Sequence, residues 1–218
     1  MNLSNNRLCG VWTEDGNQHG NYNAEGINAI ADALRVNGGL TSLDLSNNLL
    51  CGVTTFGGGT YTAEGITAIA EALRVNGTLT ECNIRGNFLD SKSAEKLAKI
   101  GTEKGIMLFG IKRDQKEANF ANLGLGPADA ILISSDLVIG ALTHLSLVGN
   151  EKLGDEGVEA LSVSIEQSKS LRTLDLGSNP SSRLVSTMFG PKGATALAKA
   201  LASNSSLTQI EYVSTDSN

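Results

Sequence analysis

The feature that most constrains this chain is an internal repeat. The segment AEGINAIADALRVNGGL from Ala24 recurs as AEGITAIAEALRVNGTL from Ala63, an offset of 39 residues with only a few differences. After each copy runs a second pattern, LTSLDLSNN from Leu40 and LTECNIRGN from Leu79, which returns as LTHLSLVGN from Leu142 and LRTLDLGSN from Leu171. Self-similarity at this period means one supersecondary unit copied along the chain, and such a unit cannot bury its apolar faces alone. Stacking of units is therefore what closes the core. NLSNN at Asn2 to Asn6 reads as the tail of a further unit, LTQIEY from Leu207 as the head of another, and IMLFGIKRD from Ile106 as a weaker copy, a count of seven.

Each unit reads as a strand followed by a helix. Leu40, Leu43 and Leu45 point inward while the residues between them face out, and Asn48 ends the strand where its amide can bond the backbone of the adjacent turn. Asn6, Asn48, Asn87, Asn150 and Asn179 recur at that place as a ladder. In the helical half, Ile66, Ile69, Ala70 and Leu73 form an apolar stripe at i, i+3, i+4 and i+7. Ile27, Ile30, Ala31 and Leu34 repeat it, as do Ala194, Leu197, Ala198 and Leu201. Asn23 and Thr62 stand at N-cap positions, and Gly126-Pro127 and Gly190-Pro191 place proline at a helix start. Gly26, Gly65, Gly157 and Gly193 share one repeat position, where a missing side chain lets a helix approach its neighbour.

On these residues the chain resembles the leucine-rich repeat family, and most closely its ribonuclease-inhibitor-like subclass, shared with the recognition regions of NOD-like receptors. The resemblance implies an α/β solenoid, a horseshoe with parallel strands on the concave face and helices on the convex face, spanning 1–218 as a single domain of about seven repeats. Strand units starting at 40, 79, 106, 142, 171 and 207 give steps of 39, 27, 36, 29 and 36 residues. The steps of 27 and 29 are the bare unit, and the longer ones carry insertions just after the strands. Two departures stand out. From Lys112 to Gly124 the unit is irregular, with Asp114 in the asparagine position and Phe120 in a second short strand segment. The chain also opens inside a strand, with no counterpart of Leu40 and Leu43 before Asn2, which reads as a fragment of a longer array.

Composition narrows the function. The formal charge of -6 opposes a surface built to neutralise phosphate backbones or anionic lipid, so nucleic acid and membrane are not expected partners. No apolar run reaches ~18 residues. Three Cys cannot form a disulfide framework, and MNLSNNRLCG lacks a signal-peptide pattern, which points to the cytoplasm. His19 and His144 have no partner at metal-ligand spacing. Gly57-Gly58-Gly59 is followed by no Lys-Ser/Thr, and GLGPAD from Gly124 reads as a turn into a helix. Cys9 and Cys51 occupy equivalent positions, where adjacent strands ~4.8 Å apart would allow a bridge, but unequal loops and a reducing cytosol favour free thiols; Cys82 reads as a small buried hydrophobe. The triplets at Asn2, Asn76 and Asn204 match glycosylation sequons by chance. No catalytic, cofactor-binding or metal-binding residues are expected.

What remains is surface. The outward strand positions include Ser42, Asp44 and Ser46; Glu81, Asn83 and Arg85; Leu108, Gly110 and Lys112; His144, Ser146 and Val148; Thr173, Asp175 and Gly177; and Gln209, Glu211 and Val213. This set is polar and of mixed charge. The insertions hold Trp12, Tyr22, Phe56, Tyr61, Met188 and Phe189. Because hot spots favour large rigid side chains, the expected partner-binding residues are Trp12, Phe56, Tyr61 and Phe189 with the concave positions Asp44, Arg85 and Asp175. The reading is a non-catalytic protein-protein interaction scaffold or recognition module. The alternative is an activator of a small GTPase, resembling Ran GTPase-activating protein. The identity of the partner and the oligomeric state are not written in the sequence.

Overall fold

A computed structural model describes residues 1–54, 58–177 and 188–211. Phe56, Gly57, Asn179 and Val213, which the sequence reading singles out, lie outside the described residues. The chain divides into two compact units, Met1–Gly110 and Ile111–Asn218. Each is a mixed α/β arrangement of short parallel strands joined by helices.

In the first unit a small antiparallel hairpin, β1 (Trp12–Glu14) and β2 (Asn17–His19), precedes α1 (Glu25–Val36), β3 (Ser42–Asp44), α2 (Glu64–Val75), β4 (Glu81–Asn83) and α3 (Ser91–Lys104). β3 and β4 run parallel, with Leu43 opposite Cys82 and Asp44 opposite Asn83. Asn2 bridges to Asp44 on one side, and Met107 bridges to Glu81 on the other. Four parallel rungs result, in sequence order. The second unit repeats the scheme with β5 (Glu117–Asn119), α4 (Pro127–Ile139), β6 (His144–Ser146), α5 (Gly154–Gln167), β7 (Thr173–Asp175), α6 (Pro191–Ser203) and β8 (Gln209–Glu211). Its strands also pair in sequence order, β5-β6-β7-β8. Parallel neighbours need a crossover, and a helix supplies one each time.

The period of two decides what each strand buries. Leu43, Leu45, Cys82 and Ile84 in the first unit, and Leu145, Leu147, Leu174 and Leu176 in the second, are at most 1% exposed. Asp44, Ser146 and Asp175 are only half-buried. Helix stripes follow their surroundings. All four expected positions of α2 are buried, because α2 packs between α1 and α3. In α6, which packs against α5, the buried set is Gly193, Leu197 and Ala200, while Ala194, Ala198 and Leu201 face outward. The stripe expected there is thus turned by one residue: among the described residues the neighbouring helix is α5, and the glycine row goes inward against it. Gly65 shows why that row is glycine: a Cβ there would lie 2.8 Å from Ile27 Cγ2.

Helix starts agree with their markers to within a residue. Proline opens α4 and α6. Asn23 Oδ1 accepts the Glu25 amide at 2.7 Å and Thr62 Oγ1 the Glu64 amide at 3.3 Å, although both sit one position before the N-cap residues Ala24 and Ala63.

The stretch after Ile106 corrects the register. Leu108, expected to face out, is fully buried, as are Met107 and Phe109. Its Cδ1 tucks under α3 at Gly101, 2.7 Å from where a Cβ there would sit. A run of three apolar residues has no polar alternate to turn outward, so the alternation stops after one bridge. A second short strand does form, at Glu117–Asn119, one residue before Phe120, with Ala118 opposite Leu145.

The asparagine ladder is built as its position implies. Asn87 Nδ2 donates to Leu45 O and Ile84 O, while its Oδ1 accepts the amides of Asn48 and Leu50. Asn150 makes the same set with Phe120 O, Leu147 O and the amides of Leu123 and Leu125. Both side chains are fully buried, so each orphaned turn group finds its partner inside the fold.

Candidate protein-interaction surface

The outward faces of β3 and β4 form a cross-linked polar surface. Ser42 Oγ donates to Glu81 Oε2 at 3.0 Å, and Asn83 Nδ2 to Asp44 Oδ1 at 3.1 Å. Asp44 Oδ1 also accepts the amide and hydroxyl of Ser46 at 2.9 and 2.7 Å. The second motif recurs along the strands: Asn2, Asn83, Asn119 and Asp175 each accept the amide two residues on, from Ser4, Arg85, Ala121 and Gly177. An Asx turn thus closes most strand ends. Asp44 and Asp175 therefore serve the turn that presents them as well as facing outward.

The insertion aromatics are held in different ways. Trp12 is half-buried on the hairpin, with the Arg7 guanidinium 4.2 Å above its ring and the His19 ring stacked at 5.7 Å. Tyr61 is half-buried, its hydroxyl 2.8 Å from both Asp90 Oδ1 and Ser93 Oγ at the start of α3. Tyr22 donates to Leu50 O and accepts the Gly65 amide, tying the first insertion to α2. Burial is the main reason both hydroxyls stay protonated well above the usual phenol range. In the second unit, Phe189 is half-buried against Gly193. Of the residues expected to bind a partner, the first unit thus carries Trp12, Tyr61, Asp44 and Arg85, and the second Asp175 and Phe189. Each group is placed within its own unit.

The thiols are set up for packing rather than reaction. Cys9, Cys51 and Cys82 are free and buried, and desolvation pushes Cys51 and Cys82 up to about 12 and raises Cys9 as well. A polar cleft of about 350 Å³ opens between the ends of α5 and α6, lined by Lys169, Arg172, Asn204 and Ser206 among others. Arg172 Nη1 already donates to Lys169 O and Ser206 O at 3.1 Å, and both helices end there, where the dipole disfavours an anion. Among the described residues no group of three or more His, Cys, Asp or Glu side chains is placed to hold a metal ion. Among them, too, no helix is long and apolar enough to cross a membrane.

Sequence reasoning missed a second asparagine ladder. Asn76, at the end of α2, accepts the amides of Thr78 and Leu79 and donates to Leu34 O and Asn37 O. Asn204, at the end of α6, accepts from Ser206 and Leu207 and donates to Ile165 O and Ser168 O. Thr78 and Ser206 hydroxyls reach the preceding repeat at Leu40 O and Ser168 O. The two sequon-like triplets are therefore structural: the asparagine closes the helix end and the hydroxyl ties it to its neighbour. The signal was the recurring N-x-S/T-L after a helix. Asp155 was missed too; its Oδ1 accepts the Gly190 and Gly193 amides at 2.7 and 2.8 Å and so caps α6 from the helix before it.

No family model matches the chain, and no curated protein matches it. Three solved structures show a distant similarity. A structure of leiomodin-1 actin-binding site 2 is 18% identical with a TM-score of 0.34, over 85% of this chain and 78% of that one. The tropomodulin C-terminal domain from Caenorhabditis elegans is 17% identical with a TM-score of 0.40, over 82% and 92%. A mandelate racemase/muconate lactonizing enzyme from Sulfitobacter sp. is 13% identical with a TM-score of 0.25, over 88% and 48%.

Proposed function

We propose that the chain is a leucine-rich repeat module of the ribonuclease-inhibitor-like kind that binds another protein without catalysis. Trp12, Phe56, Tyr61 and Phe189, with Asp44, Arg85 and Asp175, are its contact residues. The observation that carries this reading is the outward face of β3 and β4. Its side chains are fixed in place by lateral bonds such as Ser42 to Glu81 and Asn83 to Asp44, while the strand backbone is consumed in pairing. Such a surface offers a preset pattern of charge and shape and little ordering cost on binding, which suits recognition.

The test is affinity capture from lysate of the source cells with the full chain as bait, followed by mass spectrometry. The comparison baits are Arg85→Glu and Trp12→Ala, each first shown to melt within a few degrees of the unsubstituted chain. A protein retained by the unsubstituted chain and lost with either variant supports the reading. Identical retention by all three baits would sink the assigned contact set.

A further inference from the structure

The turns after β3 and β4 hold apolar side chains where the backbone favours glycine. Leu49 follows Asn48, and Phe88 follows Asn87, with φ of 53° and 51°. The two lie on neighbouring rungs, because the amides on either side of Leu49, those of Asn48 and Leu50, both donate to Asn87 Oδ1. The second unit has the same slot. There the amides of Leu123 and Leu125 both donate to Asn150 Oδ1, and the residue between them is Gly124 at φ 66°. A left-handed turn at this place thus works with glycine, as expected for a conformation that strains a bulky side chain. The first unit instead keeps a leucine and a phenylalanine. Phe88 is 37% exposed, the most open phenylalanine among the described residues, and Leu49 is half-buried.

The surroundings favour one kind of occupant. Across the two strand-and-turn segments and the start of α3, 41–50 and 80–92, the charged residues are Asp44, Glu81 and Asp90 against Arg85 and Lys92, a local excess of one carboxylate. Asp44 stands five residues before Leu49 on its strand, and Asp90 two residues beyond Phe88. We infer that Leu49 and Phe88 form an apolar anchor point for a segment of a partner protein that presents an apolar side chain beside a lysine or arginine, the cation lying toward Asp44 and Asp90. This rests on the protein-binding reading and adds to it the place and chemistry of the contact.

The experiment is selection of a displayed library of random dodecapeptides on the full chain, followed by binding of the selected peptides to Phe88→Gly and Phe88→Asn. Both replacements tolerate a left-handed backbone. The expected result is peptides that pair an apolar with a basic residue, bind the variants at least tenfold more weakly and lose affinity as salt rises, while the variants melt no lower than the unsubstituted chain. Peptides that bind Phe88→Gly unchanged, failure to select any peptide, or a clear fall in the melting temperature of both variants would each overturn the inference. Peptides lost with Trp12→Ala and indifferent to Phe88→Gly would leave the protein-binding reading standing and remove only this site.

Discussion

The two units use the same rung but fasten their helix starts differently. In the first, the repeats are 39 residues apart, and the extra length carries tyrosines. The Tyr22 hydroxyl accepts an amide of α2, and the Tyr61 hydroxyl sits between Asp90 and Ser93 at α3. In the second, the strand units at Leu142 and Leu171 are 29 residues apart, Asn150 leads through a single 3₁₀ turn into α5, and Asp155 caps the next helix. A phenol on a long insertion and a carboxylate in the first turn of the preceding helix thus meet the same need, the orphan amides of a helix start. An aromatic residue in an insertion is therefore no contact residue by virtue of being there. Its hydroxyl has to be traced first.

The largest expected effect asks whether the two units share an equivalent core. Asn87 and Asn150 each satisfy two amides and two carbonyls in full burial. Replacing either by alanine strands four backbone groups and should cost about 3–5 kcal/mol in urea denaturation. Leu43→Ala and Leu145→Ala, opposite Cys82 and Leu174, should each cost about 2–5 kcal/mol. A loss in one unit less than half that in the other would break the equivalence.

A smaller effect should separate the units. Asn76 closes the end of α2 with four bonds, whereas in the corresponding turn after α5 the Ser168 Oγ accepts, among the described residues, the Leu171 amide alone, at 3.2 Å. Asn76→Ala should cost about 2–3 kcal/mol and Ser168→Ala about 1 kcal/mol or less. Equal losses would mean that the second ladder carries no more of the first unit's stability than a lone hydroxyl does.

These cases show where sequence is informative. The strand faces and the first asparagine ladder are legible because each rests on local chemistry repeated at fixed spacing: leucines at alternate positions, then an amide with both donor and acceptor. The second ladder is hidden in a triplet that looks like a loop, since its bonding partners lie 36 to 42 residues away. The stretch from Ile106 misleads because Met107, Leu108 and Phe109 carry no alternation, and because β5 places Ala118 where its neighbours have leucine. Phe88 escapes notice for a different reason. Its left-handed backbone and its exposure are properties of the folded turn, and neither leaves a mark on residue type.

Next in size is the exchange of phenol for carboxylate. Tyr22→Phe deletes a donor to Leu50 O and an acceptor for the Gly65 amide, and should lower stability by about 1 kcal/mol. Asp155→Ala removes the acceptor of two amides at the start of α6 and should cost about 1–2 kcal/mol. Chemical denaturation of both variants tests the analogy. No loss for Tyr22→Phe would return that insertion to the surface as a free contact element.

The smallest effect is visible only as a dependence on pH. Asp90 is the N-cap of α3, accepting the Ser93 amide and the Tyr61 hydroxyl, each at 2.8 Å. Partial burial raises its pKa, but the hydrogen bonds from Ser93 and Tyr61 and the charge of Lys92 outweigh it, so the carboxyl titrates below its ordinary value. A depressed pKa in the folded state means that the unfolded chain takes up the proton first. The stabilisation is therefore complete above the unfolded value of about 4 and is lost as pH falls through the folded value below it. Asp90→Ala should cost about 1 kcal/mol at pH 7, the ordinary worth of an N-cap. The gap between the variant and the unsubstituted chain should close as the pH is lowered from 4 toward 2. Thermal melts of the two proteins across that range provide the measurement. A gap of the same size at pH 7 and at the acid end would show that the carboxylate charge does not fasten this helix start, and that the tyrosine and the cap residue of the first unit act as neutral packing alone.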